Sequence, residues 1–485
     1  MKPFDQFCMK IRQAICVIFF LTCSATFATE LPPSVRDALK RANIPISSVG
    51  IEVREVNGTT PLIQVNANQA MNPASTMKLL TTYAALEILG PAYTWRTEAY
   101  IDGTLEEGIL KGNLIIKGYG NPKMNSEHLW LWLHELRNRG LREIRGDLIL
   151  DHSAFAPQVF DATAFDNDPL RAYNVNPDAL LLNFNAIRFY FAPADGNVRI
   201  YTDPALSGIP LDNKLTLMNQ RYCGDWESNI RIQTLDSAIR LQGTYPAQCG
   251  ERDKAVSILS HSRYFEAVFR SVWQEVGGTL QGATRDGIVP ASAMLISTNY
   301  SQPLSEIIRD INKFSNNVMA RQLYLSFSLN NNASSINIPL ANNPPGASVT
   351  QSEIVLRNWI NKKGLDFPEL ILENGAGLSR KERISPHSLS ALLQDIQLSP
   401  FSAEIKASLP IAGVDGTMRK RHDNCAVTTH AHLKTGSLDG VKSIAGFLQS
   451  RSGKQWILVF FINHPNAARG QQAQDELIEW LEETY

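Results

Sequence analysis

Three short stretches of the 485-residue chain hold residue types that together can perform nucleophilic chemistry. The first is "STMK", in which Ser75 stands three positions before Lys78. At that spacing both side chains share one face of a helix. A serine hydroxyl is a weak nucleophile and needs an adjacent base. A neutral lysine serves when burial or nearby positive charge lowers its pKa, and the positive end of a helix acts in the same direction. The bland alternative is that Ser75 caps the helix and Lys78 is solvated.

The second stretch is "HLKTGS" (432–437). Lys434 and Thr435 offer a charge and a hydroxyl to a substrate carboxylate. Gly436 leaves room for a substrate backbone beside a strand. Ser437 can supply a backbone N–H which, with that of Ser75, would form an oxyanion hole. Read blandly, the same residues are a strand end before a turn.

The third element, S-x-N, is ambiguous: it occurs at Ser297/Asn299, Ser315/Asn317 and Ser335/Asn337. Ser335 sits in a polar loop, and Ser297 follows the strand-like "SAMLIS". Ser315 lies in a strongly periodic segment, where a helical turn would hold its hydroxyl and the Asn317 amide toward a cleft. This pair fits a proton relay and an amide contact to substrate.

The elements that must position these residues follow from periodicity. A helix is predicted from about Ser75 to Leu89, ended by Gly90 and Pro91. Residues 97–290 break into short strand-like runs separated by turns, with one helix over 125–140. Helical spacing returns over 303–327, 352–364 and 385–397. "HLKTGS", "KSIAGFLQS" and "QWILVFFIN" read as consecutive antiparallel strands, and "QQAQDELIEWLEETY" as a closing amphipathic helix that packs on a sheet. The pattern is a mixed α/β unit, split by a β-rich insertion of nearly two hundred residues. Expected segments are a leader over 1–28, first part 29–96, insertion 97–290 and second part 291–485.

Composition narrows the class. Hydrophobic content of 44% supports large cores, and a formal net charge of −1 gives no reason to expect nucleic acid as a partner. Lys2, Lys10 and Arg12 precede the short apolar stretch "AICVIFFLTCSATFA", which reads as a secretory signal peptide cleaved after Ala28. No later run is long and apolar enough to span a bilayer, so an exported protein without an integral membrane segment is expected. Of the six cysteines, Cys223, Cys249 and Cys425 follow the leader. Sequence alone permits three pairings; Cys223 with Cys249, closing a local loop, is preferred. His430 and His432 alternate on one strand, but no third ligand is evident, and no metal or cofactor is expected.

The ordered set S-x-x-K, S-x-N, K-T-G is the signature of penicillin-binding proteins and class A β-lactamases. The chain resembles the low-molecular-mass class C penicillin-binding proteins, the D-alanyl-D-alanine carboxypeptidase/endopeptidases of the penicillin-binding protein 4 type. "LPIAGVDGTMRKR" (409–421), "ENGAGLSR" (373–380) and "PDALLLNFN" (177–185) match stretches of that family, as does the long insertion between the first two motifs. The resemblance implies an α/β (α+β) fold of the serine β-lactamase/transpeptidase type, an antiparallel sheet flanked by helices. It implies a periplasmic enzyme whose Ser75 attacks the carbonyl between the last two D-alanines of peptidoglycan stem peptides. The same site would cut cross-links and be acylated by β-lactams. "GDLILDHSAF" matches a segment whose aspartate, here Asp151, lies near the site in relatives; the other reading is that Asp151 begins a turn. Asn121, Asn374 and Ser437 depart from the residues usual in relatives.

Two other functions use the same residues. A β-lactamase shares the serine and lysine but needs fast deacylation, and class A spacing is far more compact. A non-hydrolytic peptidoglycan-binding protein would not need the nucleophile–base pair. Asp415 and Thr417 in "GVDGT" read as a turn before the K-T-G strand, and Trp130 and Trp132 as packing residues.

Overall fold

The run "QWILVFFIN" is apolar at nearly every position because both of its faces are covered. Along it, Trp456, Leu458, Phe460 and Ile462 enter one core, while Ile457, Val459 and Phe461 enter another. Such double-sided burial replaces the polar alternation of a half-exposed strand. In this computed structural model, residues 30–158, 160–219, 222–329, 346–421 and 430–485 are described. The expected leader, Cys425 and the Ser335/Asn337 pair lie outside the described residues.

This run is β18 (Gln455–Asn463), third in a five-stranded antiparallel sheet. Beside it lie β1 (Val49–Glu55) and β17 (Val441–Gln449), with β2 (Ile63–Val65) and β16 (Ala431–Leu438) as the two edges. The first and last parts of the chain thus share one sheet. One face is covered by α1 (Pro33–Arg41), whose Val35 and Leu39 pack with Leu477, Ile478 and Leu481. The latter three come from the closing helix, Gln471–Thr484. The proline at the first position of α1 suits a helix start, where an N–H would have no partner.

On the other face lies a helical layer. It contains α2 (Lys78–Ile88), α5 (Leu304–Lys313), α6 (Asn317–Leu329), α7 (Val349–Lys362), α8 (Pro386–Leu398) and α9 (Ser402–Ser408). Leu79, Leu80, Tyr83, Ile307, Leu323, Leu356 and Leu393 form its core with the sheet. Together these elements are the expected sheet flanked by helices.

Between α2 and α5 runs the β-rich stretch. Its largest sheet has seven strands, centred on β3 (Arg96–Glu106) and β4 (Ile109–Gly118). Strand β15 (Met294–Tyr300), past residue 290, pairs with β3. Helices α3 (Ser126–Asn138) and α4 (His261–Glu275) share a second core with this sheet, including Trp132, Leu133, Phe265 and Phe269. Two three-stranded sheets complete it. Cys223 and Cys249 form a disulfide there, the preferred pairing. Trp132 is buried and its indole donates to Ser297 Oγ at 2.9 Å, which places that serine in packing and removes Ser297/Asn299 as the S-x-N of the site.

The periodic segment 303–327 is not one helix. It breaks between α5 and α6, where Ser315 takes φ 56°, in the left-handed region that disfavours a side chain. The expected helical turn at Ser315 is therefore a reversal of backbone hand.

Candidate active site

Ser75 lies in a short 3-10 turn, Ala74–Met77, that feeds directly into α2. Ala74 takes φ 46°, a strained setting for a residue with a Cβ. The surroundings hold it there. Asn72 accepts from the Ala74 N–H at 2.9 Å and donates to Ser379 O at 2.8 Å, while its own N–H reaches Asn463 Oδ1 at 2.7 Å. Ser443 on β17 donates to Pro73 O at 2.6 Å. Strand β16 passes so close that a Cβ on Gly436 would stand 2.8 Å from the Ser75 nitrogen. Gly436 is thus a close-approach glycine against Ser75.

Lys78 is completely buried and donates to Ser75 Oγ at 3.0 Å and to Asn317 Oδ1 at 2.6 Å. A third bond goes to Ala376 O. Burial first, then the Lys434 charge, pushes the amine well below its ordinary value, with Arg321 acting the same way and Glu382 opposing. These are the conditions for a lysine base. The solvated-lysine reading of the S-x-x-K pair does not hold.

Across the cleft, Lys434 donates to Ser315 Oγ at 2.8 Å and to Thr435 O at 2.7 Å. Burial pushes this amine down to about 7. Thr435 Oγ1 lies 2.6 Å from Thr417 Oγ1. The Ser315 turn is anchored by buried Lys313, which donates to Asp415 Oδ2 at 2.5 Å; Asp415 Oδ1 accepts from the Ile411 N–H at 2.9 Å. Asp415 is thus engaged in holding its loop.

Ser75, Ser315, Asn317, Thr435 and Ser437 line one cleft of about 690 Å³. Lys78 and Lys434 sit directly behind it, and Gly436 forms its floor at Ser75. Asp151 is not brought there. It is buried on β6 (Leu148–Asp151), pairs with Lys117 at 3.2 Å and accepts from the Ser153 and Val289 N–H groups, both at 2.9 Å. These contacts make it a structural carboxylate.

Other residues of the cleft carried no motif. Phe165, Asp166, Arg171 and Tyr173 reach it from the β-rich stretch. Arg380 stacks 4.7 Å from the Phe165 ring centroid and donates to Asp439 O at 2.7 Å. The only sequence signal for Arg380 was its place in "ENGAGLSR", and for Thr417 its place in "GVDGT". His432 Nδ1 lies 3.0 Å from Lys406 O, which accounts for it locally.

The comparison with known proteins decides the family. The model of the D-Ala-D-Ala carboxypeptidase 3 (S13) family matches residues 31–484. The chain belongs to this family.

Among curated members, the D-alanyl-D-alanine carboxypeptidase DacB of Haemophilus influenzae is 26% identical over 454 residues, covering 92% of this chain and 91% of the relative. The D-alanyl-D-alanine carboxypeptidase of Actinomadura sp. strain R39 is 25% identical over 446 residues, covering 88% and 80%. The crystal structure of penicillin binding protein 4 from H. influenzae superposes with a TM-score of 0.76 at 23% identity, covering 92% of this chain and 99% of that one. A predatory peptidoglycan endopeptidase from Bdellovibrio bacteriovorus shares the fold more distantly, with a TM-score of 0.52 at 14% identity over 90% and 92% of the two chains. The S13 assignment agrees with the resemblance carried by the three motifs.

Proposed function

We propose that this S13 protein is a periplasmic serine D,D-carboxypeptidase and D,D-endopeptidase that works through an acyl-enzyme on Ser75. The observation that carries the reading is the buried Lys78 amine, 3.0 Å from Ser75 Oγ and depressed in pKa by burial. Neutral Lys78 takes the Ser75 proton as Oγ attacks the carbonyl of the penultimate D-alanine. The N–H groups of Ser75 and Ser437 receive the oxyanion. The proton taken by Lys78 leaves on the departing amine, relayed through Ser315, which is bonded to Lys434, so that Lys78 is neutral again. Lys434 and Thr435 hold the terminal carboxylate, and Asn317 contacts the substrate amide. Water then enters, the neutral Lys78 takes its proton, the ester to Ser75 breaks, and Lys78 returns the proton to Ser75 Oγ.

An open edge strand beside the nucleophile accommodates either a free D-alanine or the amine side of a cross-link as leaving group. The Bdellovibrio peptidoglycan endopeptidase of the same fold is compatible with this second substrate. No helix among the described residues is long and apolar enough to cross a membrane, compatible with an exported enzyme.

The deciding experiment is mass spectrometry with peptide mapping after benzylpenicillin, beside the Ser75→Ala variant. A stable penicilloyl adduct on Ser75 is expected, with release of D-alanine from D-Ala-D-Ala peptides and cleavage of cross-linked muropeptides. Rapid penicillin turnover without adduct would favour a β-lactamase. No adduct and no turnover by folded protein would favour a peptidoglycan-binding protein.

A further inference from the structure

Behind Lys78 lies a carboxylate that the reaction above does not use. Glu382 is completely buried. Its Oε1 accepts three successive backbone N–H groups, from Glu373 at 3.2 Å, Asn374 at 2.9 Å and Gly375 at 3.0 Å. Its own N–H donates to Ser379 Oγ at 2.9 Å. Converging N–H groups of this kind form a nest whose shape depends on the anion at its centre.

The turn gathered around Glu382 presents two carbonyls to α2. Gly375 O accepts from Thr81 Oγ1 at 2.6 Å, and Ala376 O accepts from Lys78 Nζ. The next residue, Gly377, has φ 76°, and a Cβ there would fall 1.9 Å from Ala74 O, beside the nucleophile. The turn therefore touches both the base and the residue before Ser75. Glu382 Oε2 has no hydrogen-bond partner among the described residues. Leaving a carboxylate oxygen buried and unsatisfied costs stability, and a fully buried glutamate is rare without a purpose.

We propose that Glu382 is a positioning residue for the general base: through the 373–376 turn it fixes where the Lys78 amine sits against Ser75. The proposal rests on the Ser75–Lys78 reading above. Charge gives it a second consequence. Lys78 is faced by Lys434 and Arg321, which drive its proton off, and by Glu382, which retains it. Glu382 is pushed up by burial and brought down by the three N–H groups and by Lys78. Buried Tyr324 packs against Gly375 from α6. Of these groups, Glu382 is the one acting to keep Lys78 protonated.

Two variants separate the effects. Glu382→Gln keeps an acceptor oxygen for the three N–H groups and removes the charge; Glu382→Ala removes both. The readout is the rate of Ser75 acylation by benzylpenicillin across pH, with thermal melting as a check on folding. Glu382→Ala is expected to slow acylation by about tenfold or more at every pH, with little change in the initial binding constant. Glu382→Gln is expected to retain the plateau rate within about threefold and to move the acid limb to lower pH, because Lys78 then loses its proton more easily. If Glu382→Ala does not fold, the acid limb of Glu382→Gln decides alone. Folded variants with wild-type rates and an unmoved acid limb would overturn the proposal. So would equal losses in both variants with the limb unmoved, which would make Glu382 a fold residue only. Failure of wild-type protein to acylate at Ser75 would instead overturn the acyl-enzyme reading, and that is seen without either variant.

Discussion

Lys434 donates to Ser315 at 2.8 Å across the cleft, and burial pushes the lysine down to about 7. Its partners are a hydroxyl and a carbonyl, so its charge is available to an incoming carboxylate. As pH rises through neutrality the free enzyme loses that charge. KM for a peptide ending in free D-alanine is therefore expected to climb above pH ~7, whereas a peptide with an amidated C-terminus shows no such climb. Steady-state kinetics with the two peptides checks this.

The same lysine links stability to pH. Its ordinary value is 10.5 and its folded value about 7. Between them the unfolded chain binds a proton that the native site does not, so stability rises with pH through that window. Below it, the full cost of charging a buried amine is present. In Lys434→Met the rise should flatten, and the variant should melt higher than wild type at mildly acid pH. Thermal melting at several pH values tests the expectation.

Lys78 offers the simplest kinetic test. Lys78→Ala is expected to slow acylation of Ser75 by about 10²–10⁴-fold, the usual worth of a general base. Thermal melting is read beside it, because the substitution also leaves Asn317 Oδ1 and Ala376 O without their buried donor. A variant that acylates at the wild-type rate would transfer the role of base elsewhere.

Gly377 is poised against Ala74, the residue before Ser75. Gly377→Ala would put a methyl group 1.9 Å from Ala74 O at a residue with φ 76°. A destabilisation of about 2 kcal/mol or more is expected, with loss of most acylation because Ser75 is displaced. Denaturant melts and penicillin labelling read the two effects separately.

Asp415 anchors the Ser315 turn through buried Lys313. Asp415→Asn leaves that ammonium without its counter-charge, at a cost of about 1–3 kcal/mol because the Asp415 carboxylate is partly exposed. Proton delivery should suffer with it: deacylation and acylation both slow, while Asp415→Glu recovers part of the activity. Stopped-flow labelling of the three proteins makes the comparison.

What was legible in the sequence was local. Ser75 and Lys78 sit one helical turn apart, and Lys434, Thr435, Gly436 and Ser437 run along one strand, so spacing alone accounts for their local placement at the cleft. The sheet order β16–β17–β18 was readable for the same reason. Ser315 was found by its motif, but the left-handed break that aims it was hidden. The apolar period runs through 303–327 without interruption, and the contacts at the break, Lys434 to Ser315 and Lys313 to Asp415, come from distant parts of the chain. Ala376 and Glu382 were invisible because their roles are contacts at long range: Ala376 meets Lys78 from 298 residues away. Asp151 was carried over by resemblance, and its partners Lys117, Ser153 and Val289 belong to the β-rich stretch rather than to the cleft.

Strand β1 pairs with β18, although one lies near residue 50 and the other near residue 460. Ser75 emerges early in synthesis, while Thr435 and Ser437, which line the same cleft, arrive almost last. Such closure of distant chain ends is slow, because loop entropy is lost before the contacts repay it. On the acyl-enzyme proposal, reactivity toward a β-lactam would then be a property of the completed chain. A penicillin label on Ser75 would time the final step of folding, and a chain truncated before β18 would carry the whole nucleophile motif yet stay silent.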